Sequence, residues 1–418
     1  MNEHAGPPAN HKSIFWISVL ALFTAAFSNA ARVGASGAIK SELFDAHDAA
    51  HAGELIGATL GNSFLGFALS LLVISPLLDT FGAKRVILFA SACFIVGPAI
   101  TLLGANSSNF GSMQTLLNIG MVIWGFGWGA TEGSINPLTT TIYPGDKTGK
   151  LNTLHAWWPA GIIVGGLLSY LLVDRGLVDW RYLIAASMIP GLIFGIWAMG
   201  HRFPQTESTA KGVSFSEMLA EPFKHISFWA FFAIMLCTAS TELGPGQWVD
   251  VALSKTVGMS GILLLVYVSA IMFIARHFAG SLEHKFSDIG LLWLCSIPAS
   301  IGLYLLSTAN SPFTALVAAT LWAIGVCFMW PTMLAAVARR YPRSGSWGIG
   351  LIGFAGALAI YFILPRIGAI YDRAMSSASG NAEAFAAAQS FQTVAILPLG
   401  LFVIFGVVWL LERGRNTK

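Results

Sequence analysis

The chain has 418 residues, of which 55% are hydrophobic and only 10% charged, with a net charge of +3. Soluble domains carry about 25% charged residues, so this chain is too poor in charge to cover a water-facing surface, and most of it must face lipid or other helices. The small net charge says little about partners, and no nucleic-acid partner is expected. The four cysteines (Cys93, Cys237, Cys295 and Cys327) lie inside apolar runs without a CxxC pair, which suggests neither a zinc site nor a disulfide framework.

Taken in chain order, twelve apolar stretches reach the roughly 20 residues that a helical span requires. They cover 13–37, 54–78, 86–104, 113–142, 151–173, 180–200, 226–251, 259–280, 289–308, 313–338, 346–370 and 390–411. The first is longer than the 7–15-residue apolar core of a typical signal peptide, so it is expected to be a span. The runs are continuous and lack the ten-residue alternation of a membrane β-barrel, which predicts helices throughout. With the N-terminus inside, about fifteen Lys and Arg fall on the inner side and seven on the outer. The excess predicts that both termini are cytoplasmic, in a bacterial inner membrane.

The longest polar connection, 201–225, divides the chain into six spans before it (1–200) and six after it (226–418). A weak repeat supports the division. Ser75–Arg85, with Asp79, Gly82 and Lys84, follows span two; Gly280–Gly290, with Glu283, Lys285 and Asp288, follows span eight. Parallel six-helix halves mark one transporter architecture. The expected fold is therefore all-α, with twelve transmembrane helices in two pseudo-symmetric six-helix bundles, acting as a monomer.

An ionisable group inside a span is costly and is a functional candidate by default. Arg32 closes span one, three residues after Asn29, and is positioned to pair with Glu132 or another buried carboxylate. In span four, Trp128, Glu132 and Asn136 recur every fourth residue and share a face. Gly125, Gly129 and Gly133 keep the same interval, which gives a smooth stripe for a neighbouring helix. Span five opens with Asn152 and His155, three apart on one face, where imidazole can donate and accept hydrogen bonds. In span seven, Gly244-Pro245-Gly246 is expected to unwind the helix, with Glu242, Gln247 and Trp248 lining a cavity beside it. Asn, Gln, His and Glu offer hydrogen bonds to sugar hydroxyls, and Trp128, Trp248 and Trp330 offer rings to sugar C–H faces.

His47 and His51 have the spacing of metal ligands but no third partner in view. No HExxH, GxSxG or P-loop occurs. The chain is therefore expected to be neither an enzyme nor an ATP-driven pump, and to need no metal or cofactor.

Four motifs together resemble the fucose–glucose–galactose:proton symporters, the fucose permease branch of the major facilitator superfamily. They are Glu132-x-x-x-Asn136-Pro137 followed by Leu151-Asn152-x-x-His155; Phe273-x-x-Arg276-His-Phe-Ala-Gly280; Phe328-Met-Trp330-Pro331-Thr332; and Gly353-x-x-Gly356 leading to Gly368-x-x-x-Asp372. The resemblance implies alternating access, a sugar substrate and Glu132 as the proton-coupling carboxyl. Two positions depart from it. Arg32 stands where the family carries an acidic residue after the asparagine of span one, and His155 replaces the usual glutamine. The function expected is cation-coupled uptake (proton or sodium) of a hexose or related sugar. An efflux antiporter for drugs or metabolites on the same scaffold is the alternative.

Overall fold

The structure is a computed structural model that describes residues 10–143, 147–204, 213–254, 256–276, 278, 282, 285–378 and 381–416. Much of the 201–225 connection (205–212) and of the second repeat turn (279–281, 283 and 284) lies outside the described residues, as do the side chains of Asp79 and Asn152.

Among the described residues every apolar run is helical. This is the one way an isolated segment can satisfy its own backbone in lipid. The helices are α1 (His11–Ile39), α2 (Ala52–Phe81), α3 (Ala83–Ala105), α4 (Phe110–Ile142), α5 (Lys147–Leu168), α6 (Trp180–Met199), α7 (Ile226–Leu253), α8 (Gly261–Arg276), α9 (Asp288–Ser307), α10 (Pro312–Arg340), α11 (Gly345–Ser377) and α12 (Ala382–Asn416). Ten of them are long and apolar enough to cross a membrane. The other two are α8, which is shorter, and α4, whose glycines and polar residues make it less apolar. Both carry residues of the site described below.

Burial separates central helices from peripheral ones. In α1, 83% of the apolar window is buried, against 33% in α12. α12 exposes Ile396, Leu399, Val403, Val407 and Leu410, and α6 exposes Ile189, Leu192, Ile193 and Ile196. Continuous apolar faces of this kind suit lipid.

The glycine stripe of α4 packs on α2. A Cβ at Gly125 would collide with the Ser63 carbonyl oxygen, and one at Gly129 would come within 2.6 Å of the Phe67 carbonyl oxygen. α2 also runs along α11 of the second half. At one end Gly368 meets the Gly53 backbone, and the Asp372 carboxylate accepts the N–H groups of Gly53 (3.0 Å) and Glu54 (2.9 Å) in the first turn of α2. At the other end Ser346 Oγ donates to the Ser75 carbonyl (2.9 Å).

The expected unwinding at Gly244-Pro245-Gly246 does not occur: α7 is continuous from Ile226 to Leu253. Pro245 cannot donate to the carbonyl four residues earlier, that of Thr241. The Trp322 indole N–H donates to that carbonyl instead (3.1 Å), so the helix need not open to satisfy it. The interruption falls in α10, which stops at Val326 and restarts at Met329.

Candidate functional site

Two clusters of polar side chains face each other across the two halves. In the first half, the four-residue spacing on α4 places Asn136 one turn beyond Glu132. The Asn136 amide nitrogen donates to Glu132 Oε2 (3.3 Å) and to the Glu132 carbonyl (3.1 Å). Its Oδ1 lies 2.8 Å from His155 Nε2 on α5, which donates to it. Glu132, Asn136 and His155 thus form one hydrogen-bonded chain, and Glu132 has no ion pair among the described residues. Asn152 lies on the same helix as His155, but its side chain is outside the described residues.

The second cluster is built around the break in α10. Pro331 has no N–H for the Cys327 carbonyl, so that carbonyl is left free. Arg276, the last residue of α8, fills the gap: its Nε donates to the Cys327 carbonyl (3.1 Å) and its Nη2 donates to Glu242 Oε1 (3.4 Å). Glu242 Oε2 accepts the N–H of Trp330 (2.9 Å). One arginine and one carboxylate therefore satisfy the interrupted backbone, as buried polar groups require. Arg276 is close enough to act electrostatically on both Glu132 and His155.

An aromatic stack joins the halves. Trp158 (α5) stacks on Trp128 (α4) at 4.8 Å between centroids, Trp128 on Phe67 (α2) at 4.3 Å, and Phe67 faces Trp330 (α10) at 6.1 Å. Gly356 of α11 makes room for the Trp330 indole: a Cβ there would lie 2.5 Å from Cζ3.

Several expected site residues fall outside this centre. Arg32 does not pair with Glu132. Its Nη2 donates to Asn29 Oδ1 (3.2 Å) and its Nε to the Ser28 carbonyl (3.4 Å), and its guanidinium lies 5.1 Å from the centre of the Trp124 ring. Trp124 is two turns before Glu132 on α4, so Arg32 sits at the far end of that helix face. Gln247 is buried, and Trp248 packs edge-on against Tyr371 of α11 (6.0 Å). Outside the centre, His51 bonds Asp48, and His47 bonds the Leu43 carbonyl.

Sequence reading missed Arg276, Phe67 and Trp158 as site residues. A signal existed for Arg276, which is an ionisable residue at the end of a span. Phe67 and Trp158 gave none, because a ring on an apolar helix reads as packing.

A family profile described as the Major Facilitator Superfamily matches residues 19–364. Over 148 residues the chain is 26% identical to the glucose transporter GlcP of Staphylococcus epidermidis; the match covers 35% of this chain and 29% of that protein, less than a third of its length. The crystal structure of a D-xylose–proton symporter superposes with a TM-score of 0.79 at 15% identity, covering 94% of this chain and 97% of that one. The inward-open xylose transporter XylE from E. coli superposes with a TM-score of 0.75 at 15% identity, covering 94% and 95%. At such identity the structural likeness is one of fold. The twelve-helix architecture and the match over most of its length establish this multi-pass membrane protein as a transporter and not an enzyme, and the chain belongs to the Major Facilitator Superfamily.

Proposed function

We propose that the protein takes up a hexose or related sugar together with a cation, by alternating access between two six-helix halves divided at residues 201–225. One observation carries the reading. Among the described residues Glu132 is an intramembrane carboxyl bonded only to neutral partners, in a chain with Asn136 and His155, and the charge of Arg276 in the other half acts on it. A carboxyl with neutral partners can gain or lose a proton without breaking an ion pair. With Arg32 in place of the acidic companion that the fucose permease branch carries, coupling falls to Glu132 alone, and the proton is the ion its surroundings suit. The glucose transporter and xylose–proton symporters to which the chain is similar are sugar carriers by name, which supports the substrate class.

In this reading Asn136, Asn152 and His155 hydrogen-bond the sugar, the Trp128–Trp330 stack packs against its C–H face, and Glu242 shapes the opposite wall. The excess of Lys and Arg supports cytoplasmic termini, and the reading takes the membrane as a bacterial inner membrane and the working unit as a monomer.

The test is Glu132→Gln in sealed proteoliposomes. One coupled charge is driven by about 2.3 kcal/mol per 100 mV, which corresponds to about fiftyfold accumulation. The variant should lose accumulation against a gradient and keep sugar exchange. Unchanged uphill uptake, or uptake that follows a sodium gradient and ignores pH, overturns the assignment of Glu132 as the proton carrier.

A further inference from the structure

Arg32 is 2% exposed, and among the described residues every partner it has is neutral: Ser28, Asn29 and the Trp124 ring. Its Nη1 has no hydrogen-bond partner among the described residues. The other membrane-embedded arginine of the site is handled differently, since Arg276 meets Glu242. Near the bundle's end, Arg340 meets Asp288 and Glu412 at 2.6 Å each. Buried charges are ordinarily paired, because an unpaired one has lost its hydration without replacement.

The unmet valence is not isolated. α1 and α7 are the first helices of their halves, and they pack on each other. On α1, Ser28 Oγ and Arg32 Nη1 lack partners; on α7, Gln247 Oε1 and Trp248 Nε1 lack them too. By register all four lie about five to six helical turns in from the face on which α1 and α7 begin. At that shared depth the two facing helices carry one positive fork, one indole donor, one carboxamide acceptor and one hydroxyl. That set matches a polyhydroxylated molecule with one negative charge. The Trp124 ring under Arg32 begins the α4 face that continues through Trp128 to Glu132, about 12 Å further along the axis, which puts the cation at one end of the site and the carboxyl at the other.

We propose that the substrate is a sugar acid, a hexose-sized polyol bearing a carboxylate, and that Arg32 receives that carboxylate when the two halves part between α1 and α7. The free Nη1 and the second N–H of Nη2 form the end-on fork that binds a carboxylate with two hydrogen bonds. A single guanidinium balances one carboxylate, whereas a phosphate monoester carries up to two charges at neutral pH; this favours the carboxylate. The inference rests on the sugar reading above and narrows it. It has a consequence for energetics: a monoanion moving with one proton carries no net charge.

The test uses the purified full-length protein, with D-glucuronate, D-galacturonate, D-glucose, D-galactose and glucose 6-phosphate as probes, read by thermal shift and tryptophan fluorescence. The uronates should bind about tenfold or more tighter than the neutral hexoses, the range expected for a hydrogen bond to a charged group. Arg32→Gln should remove that preference, read as the ratio of uronate to hexose affinity; Arg32→Lys should keep part of it. The inference is overturned by tighter binding of neutral hexoses or the sugar phosphate, or by full uronate affinity in Arg32→Gln. A second readout needs no variant. In proteoliposomes with a fixed pH gradient, uronate uptake should not respond to an imposed potassium–valinomycin potential, and a clear response overturns the inference. Binding of hexoses without preference for uronates removes this inference and leaves the sugar reading intact, whereas absence of binding by any sugar removes both.

Discussion

Glu132 and Glu242 are both carboxylates inside spans, and by sequence they look alike. Each sits in a polar patch of an apolar helix, with a tryptophan and a proline nearby. Their surroundings differ in kind. Glu242 is held between Arg276 and the Trp330 N–H, and it stabilises a proline break in α10. Glu132 is bonded to Asn136, which is bonded to His155, and has no ion pair among the described residues. In the first arrangement, protonating the carboxyl would leave Arg276 without its counter-charge. The second tolerates it, because amide and imidazole groups bond either form. In the proposed function, a coupling carboxyl therefore differs from a structural one in the charge of its partners, not in its depth.

Four experiments would break or sharpen that comparison. The largest effect is expected from Arg276→Met, which strands Glu242 and frees the Cys327 carbonyl. Breaking one side of a buried pair costs about 3–5 kcal/mol, so thermal unfolding in detergent should show a steep loss. Adding Glu242→Leu should recover part of it, and no recovery would mean that the pair is not coupled. Next is Trp322→Phe, which removes the donor to the Thr241 carbonyl beside Pro245. An unsatisfied buried acceptor costs about 1–3 kcal/mol. The same variant should open α7 locally, seen as faster amide exchange around Gly244; unchanged exchange would show that the indole is not what keeps α7 closed.

A smaller shift is expected from Asp372→Asn. The carboxylate bridges the halves by accepting two N–H groups at the start of α2, where the helix dipole also favours a negative charge. Removing the charge should weaken this end of the α2–α11 contact by about 1 kcal/mol. The readout is faster amide exchange in the first turn of α2, at Gly53 and Glu54, with unchanged exchange arguing that the carboxylate does not hold this end of the contact. The smallest stability change should come from Glu132→Gln, within about 1 kcal/mol of the parent, although it is expected to have the greatest effect on uphill transport. A large loss of stability there would place Glu132 with Glu242 as a structural group and erase the contrast.

The twelve spans were legible because burial in lipid imposes a long apolar run on each helix, and nothing else in a chain looks like that. The α4 glycine stripe and the bonding of Asn136 to Glu132 were legible for a related reason: residues four apart on a helix must share a face. His155 meeting Asn136 was suggested by its motif and required the packing of α5 on α4 to be seen. Other features were decided only by tertiary contacts. A proline forces a free carbonyl in either α7 or α10, but whether the helix breaks depends on what reaches that carbonyl. Trp322 reaches the one in α7 from another helix, and Arg276 reaches the one in α10. Likewise, nothing local to Arg32 could say that its neighbours would all be neutral. Sequence fixes what each residue can donate or accept within its own helix, while the partner across a helix interface depends on packing that no single segment encodes.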